Sequence, residues 1–82
     1  MERAVGDVEL DVRGLTPPQP MELTLEALET LPDGERLVQL NDRVPVFLLP
    51  LLDARGYQYR LAEDERGTVT TIWRGAWHKG AA

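Results

Sequence analysis

Residues 10–20 read LDVRGLTPPQP and residues 21–31 continue MELTLEALETL. With the two residues ahead of it, the stretch opens as Val8-Glu9-Leu10-Asp11-Val12, an alternation of apolar and acidic side chains. Period two is the pattern of a half-buried strand, with Val8, Leu10 and Val12 on its apolar face. Gly14 and the run Thr16-Pro17-Pro18-Gln19-Pro20 end that strand, because proline has no N–H for a ladder and turns the residue before it away from helical backbone. Pro20 suits the first helical position, where a missing N–H costs nothing. Beyond it Met21, Leu25 and Leu28 recur at i, i+4 and i+7, with Leu31 three residues on. That is the stripe of an amphipathic helix, stopped by Pro32-Asp33-Gly34.

Working outward, Arg36 to Asn41 reads as a second strand in which Val38 and Leu40 alternate against Gln39. Asn41-Asp42 follows as a turn and helix cap. The segment VPVFLLPLLDAR, residues 44–55, is helical in length and ends at Gly56, a good left-handed cap. Pro50 lies inside it, so the expectation is a kinked or two-part helix: a short turn from Pro45, then a main helix beginning near Pro50. Tyr57, Tyr59 and Leu61 alternate in a third strand, Asp64-Glu65-Arg66-Gly67 makes a hairpin turn, and Val69, Thr71 and Trp73 share one face of a fourth. The order is β-α-β-α-β-β. Right-handed crossovers then place both helices on one face of a four-stranded mixed sheet, an α+β two-layer sandwich. Residues 1–7 read as an N-terminal extension, 8–74 as the domain and 75–82 as a C-terminal tail.

The 82 residues allow one domain, and a domain of this size buries only about 60% of the surface of its unfolded chain. Nine basic and fourteen acidic residues give a net charge of -5, which opposes phosphate backbones, so nucleic acid and anionic membranes are not expected as partners. With no cysteine, disulfides, thiol catalysis and thiolate metal sites are excluded, and a reducing cytoplasm is the expected compartment. The longest apolar run, Val44 to Leu52, is too short to span a bilayer, and no signal peptide is recognised. His78 is a lone imidazole, and no base stands at a recognisable spacing from a hydroxyl nucleophile. No catalytic residue, metal site or cofactor is expected.

The stretch from Arg13 to Pro20 resembles the signature of the TusA (SirA-like) sulfur carriers, which reads strand, Arg-Gly-Leu, one residue, then Cys-Pro-x-Pro. The cysteine slot falls here on Pro17. A sulfur carrier holds persulfide on a thiolate, so this chain cannot carry sulfur in that way. More closely it resembles the cysteine-free relatives of TusA, a family of unknown function. Their Arg-Gly-Leu-x-Pro-Pro-x-Pro opening, Asn-Asp and Arg-Gly-Tyr stand here as Arg13 to Pro20, Asn41-Asp42 and Arg55-Gly56-Tyr57. The resemblance covers about residues 8 to 74 and implies the same two-layer fold. Relatives often carry a histidine or acid just after Asn-Asp; Arg43 and Val44 stand there instead, so no metal or acid–base role carries over to them.

If both crossovers are parallel, the carboxyl ends of strands one and two meet the amino ends of both helices at one edge, where open α/β sheets favour ligands. Asp11, Arg13, Thr16, Gln19, Asn41, Asp42 and Arg43 would gather there as a small polar binding site. The competing reading is structural: Asp11 pairs with Arg13, Asn41 and Asp42 cap the second helix, and nothing binds. Val44 to Leu52 is apolar nearly all round, more than one sheet-facing side can hold. Either a kink at Pro50 turns both halves inward, or some of Phe47, Leu48 and Leu51 form a patch covered by a homodimer mate or protein partner. Glu22, Glu26 and Glu29 make an acidic stripe for which a solvated face suffices, and the aromatics Tyr57, Tyr59, Trp73 and Trp77 suit a sheet core or tail cover better than a stacking platform. The residues point to a non-enzymatic binding or adaptor module working by protein contact or small-ligand binding. The alternative is an accessory enzyme or redox-pathway component using the edge around Asp11, Arg13, Asn41 and Asp42.

Overall fold

A computed structural model describes residues 6–75. The expected tail aromatic Trp77, His78 and most of the N-terminal extension lie outside the described residues. Six elements follow in the expected order: β1 (Asp7–Asp11), α1 (Gln19–Glu29), β2 (Arg36–Asn41), α2 (Leu48–Ala54), β3 (Tyr57–Asp64) and β4 (Gly67–Arg74). The strands lie side by side as β1-β2-β4-β3, with β1 parallel to β2 and the other neighbours antiparallel. This is the mixed sheet of an α+β two-layer sandwich.

Register shows which residues meet the helices. Val8, Leu37, Ile72 and Tyr59 stand abreast across the four strands. Leu37 and Ile72 are fully buried against Leu28 of α1 and Leu48 and Leu52 of α2, with Leu31 beside them, so both helices share one core on one face. Side chains alternate along a strand, and the same face of β2 therefore carries Gln39 and Asn41, both buried. The sequence alternation suggests Val38 and Leu40 as the apolar partners of this strand. They stand instead on the other face, half-buried. A central strand with apolar residues on both sides gives no unique phase, and Leu37 sets it by pairing with Val8 and Ile72.

The helices differ from expectation at their ends. α1 begins at Gln19 with Pro20 in its first turn, and it ends at Glu29 rather than at Leu31. Leu31 lies just beyond, its N–H bonded to the Leu28 carbonyl, and still fills the core. At α2 the two-part expectation holds, with the helix starting two residues ahead of Pro50. A turn at Pro45 accepts the N–H groups of Leu48 and Leu49, the helix starts at Leu48, and Pro50 occupies its first turn, where backbone N–H groups have no intrahelical partner anyway. Gly56, with φ +81°, closes the helix as a left-handed cap. At the start of β4, Gly67 (φ +134°) passes so near the Asn41 carbonyl that a Cβ would collide with it. β2 and β4 can approach this closely at the candidate-site edge only because that residue is glycine.

Candidate functional site

The parallel pairing of β1 and β2 brings both strand-to-helix connections to one edge, and a cavity of about 290 Å³ opens between them. One wall is Leu15, Pro17 and Pro18 of the first connection with Pro20 and Met21 of α1. The opposite wall is residues 42–47 and Leu48 at the start of α2. Gln39 and Asn41 of β2 lie behind both. Greasy walls with a few convergent polar groups are what ligand pockets generally show, and this one is at the small end of their range of roughly 300–1,000 Å³.

Two of its polar groups, Gln39 and Asn41, belong to one connected hydrogen-bond chain. The Thr24 hydroxyl donates to the Pro20 carbonyl at 2.7 Å, so it accepts from Gln39 Nε2 at 2.8 Å. Asn41 Nδ2 donates to Gln39 Oε1 at 3.3 Å, and Asn41 Oδ1 accepts the Arg43 N–H at 3.3 Å. Thr24 and Gln39 are completely buried. Thr70, the register partner of Gln39 on β4, is completely buried too, and its hydroxyl has no partner among the described residues.

The polar residues expected at this edge divide into two groups on opposite faces of the sheet. Asp11 is in register with Leu40, not with Gln39, so it and Arg13 line a shallow depression on the helix-free face with Glu9, Val38 and Arg66. Arg13 grips Asp11 there through Nε at 3.0 Å and Nη2 at 2.8 Å, while Arg13 Nη1 donates to the Arg66 carbonyl at 3.3 Å. The hydrogen bonds from this guanidinium and from the Arg13 backbone N–H bring the Asp11 carboxyl down to about 2. Arg66 holds Asp64 in the same way at 2.8 Å and lowers its carboxyl as well. Asn41, Asp42 and Arg43 line the cavity on the other side. One bond joins the groups: Gly14 N–H donates to Asp42 Oδ2 at 2.7 Å. Thr16 and Gln19 are exposed and line neither region; the Thr16 carbonyl accepts the Gln19 N–H. Asn41 and Asp42 do not cap α2, which begins after Phe47 without a side-chain cap.

Of the three apolar residues singled out in the second helix, Leu48 is core at 1% exposure and Leu51 is half-buried, whereas Phe47 is 81% exposed. Val46 (58% exposed), Val44 and Leu15 continue that apolar surface around the mouth of the cavity. Sequence reading missed Gln39 as a cavity residue and Thr24 and Thr70 as the buried hydroxyls beside it. A glutamine flanked by apolar neighbours in a central strand is the one signal that could have found them.

A family model described as "Uncharacterized conserved protein (DUF2249)" matches residues 9–74. The chain belongs to this family. Among solved structures it is similar to the crystal structure of a SirA-like protein from Desulfitobacterium hafniense, with a TM-score of 0.66, 22% identity, and coverage of 78% of this chain and 90% of that one. At that identity the likeness is one of fold, and it agrees with the resemblance carried by Arg13 to Pro20. No curated protein matches the chain. No helix among the described residues is long and apolar enough to cross a membrane.

Proposed function

We propose that this DUF2249 domain is a non-enzymatic binding module, working in the cytoplasm, that takes a small and largely apolar ligand into the cavity between its two strand-to-helix connections. The cavity itself carries the reading: leucine, proline, valine and phenylalanine walls around a buried amide floor. An anionic ligand is a poor fit. At the start of α1 the Gln19 N–H bonds to Thr16, Pro20 has no N–H, and the Glu22 N–H bonds to Pro18, so the usual anion cradle is nearly used up. Asp42 adds a negative charge at the rim.

The accessory-enzyme alternative gains no support from the acids. An Asp11 carboxyl brought down to about 2 is far from the near-neutral value that proton transfer at physiological pH needs. Protein contact is favoured by a different observation, the exposure of Phe47 and Val46 at the cavity mouth. Nuclear magnetic resonance with a library of small apolar fragments tests the main reading. Binders should perturb the amide signals of Leu15, Asn41, Val44 and Phe47 together. If fragments leave these residues unmoved, or move only residues remote from the cavity, the reading is wrong.

A further inference from the structure

We infer that the cavity selects neutral ligands whose polar end is a carbonyl oxygen, read by the carboxamides of Gln39 and Asn41; this rests on the cavity's being a ligand site. The hydrogen-bond chain sets its own direction from both ends. The Pro20 carbonyl can only accept, which fixes the Thr24 hydroxyl as its donor and Gln39 Nε2 as donor to Thr24. The Arg43 N–H can only donate, which fixes Asn41 Oδ1 as its acceptor and turns Asn41 Nδ2 toward Gln39 Oε1. Neither amide can flip without losing a bond at an anchored end.

Each carboxamide carries two N–H groups, and the chain engages one on each. Both oxygens already accept a bond. The second N–H of Gln39 and of Asn41 has no acceptor among the described residues, at positions 0% and 6% exposed. A buried N–H without a partner is more costly than a carbonyl oxygen with one lone pair in use. The two carboxamides are therefore short of acceptors and not of donors. An ammonium or other pure donor would add to the mismatch. A carboxylate would satisfy it but would leave water as a full charge beside amides, with Arg43, the only cation lining the cavity among the described residues, exposed at the rim. A ketone, ester or tertiary amide on a compact apolar body meets both floor and walls.

Three probes of one shape test this: acetophenone, cumene and protonated α-methylbenzylamine, which place an oxygen, a methyl group and an ammonium on the same skeleton. A cavity without directed donors prefers cumene, because taking a ketone oxygen out of water without a replacement bond is unfavourable. Titration of the wild-type chain by nuclear magnetic resonance should show acetophenone binding tighter than cumene, the ammonium not binding, and the Gln39 and Asn41 side-chain NH₂ signals moving with acetophenone alone. Gln39→Met should invert the order in favour of cumene. Asn41→Leu provides the same comparison should Gln39→Met fail to fold. Cumene binding tighter than acetophenone to the wild type overturns the inference and leaves the binding-module reading intact. If none of the three binds, both fall.

Discussion

Replacing Thr70 by valine should make this protein more stable, an unusual expectation for a completely buried residue in a central strand. Thr70 is 0% exposed and its hydroxyl has no partner among the described residues. A buried hydroxyl without a hydrogen bond costs about 1–3 kcal/mol. Valine keeps the β-branched shape and the strand preference and puts a methyl group where that oxygen stood. The gain should be about 1 kcal/mol, or roughly 4–8 °C in Tm for a domain of this size. The control is Thr24→Val, the same chemical change at an equally buried site. There the hydroxyl accepts from Gln39 and donates to Pro20, so its removal strands a buried N–H and should cost about 1–3 kcal/mol. Urea unfolding followed by circular dichroism measures both, with an unchanged m-value as the check that the unfolding transition is comparable. Thr70→Val lowering the midpoint, or Thr24→Val leaving it unchanged, would refute the assignment of satisfied and unsatisfied hydroxyls behind the cavity floor.

Other outcomes follow from particular positions. Phe47→Glu should leave the fold intact, within about 0.5 kcal/mol as for other exposed sites, while Leu48→Glu should unfold the domain; light scattering on the wild type and on Phe47→Glu then shows whether the exposed phenyl ring holds two copies together. Asp11 should titrate with a midpoint near 2 by carboxyl-carbon resonance and return toward the ordinary 3.8 in Arg13→Ala. Because its folded value is depressed, this pair's stabilisation is present above the ordinary aspartate range and disappears as pH falls through about 2, so acid should narrow the stability difference between wild type and Arg13→Ala. Gly67→Ala should cost at least about 1 kcal/mol, since it combines an unfavourable φ with a Cβ against the Asn41 carbonyl; a neutral result in thermal melts would mean that β2 and β4 can separate there without loss.

The fold was legible because its signals are local. Pro20, the Met21-Leu25-Leu28 stripe, Gly56 and the alternating strands each specify an element within a few residues, and the right-handed crossover does the rest. The phase of β2 was not legible. Val38 and Leu40 form as good an apolar face as Leu37 and its neighbours, and the choice is made by non-local pairing with Val8 and Ile72. Because side chains alternate along the strand, that one undetermined phase concealed the floor of the cavity. At the edge, Asp11 and Asn41 stand close to each other along the sheet yet fall on opposite faces for the same reason of parity. Phe47 illustrates a different limit. An apolar run around a proline has several ways to divide between core and surface, and the start of α2 at Leu48 decides which side chain is left outside.

The division of the edge also shows how a scaffold shared with a SirA-like protein is built here without a thiol. Pro17 occupies the cysteine slot of the TusA signature and forms part of the cavity wall, so the place of a reactive atom is taken by apolar surface. Two of the charged residues nearby belong to the frame of the edge: Arg13 bonds Asp11 and the Arg66 carbonyl, and Asp42 accepts the Gly14 N–H. These bonds tie the first connection to the β3–β4 hairpin and to the end of β2, which holds the mouth of the cavity in shape. What remains directed into the core side is amide and hydroxyl, Gln39, Asn41 and Thr24. In surroundings of low polarity such groups form stronger hydrogen bonds than they do in water. The charges thus build the frame, and the neutral groups face the core side of the cavity.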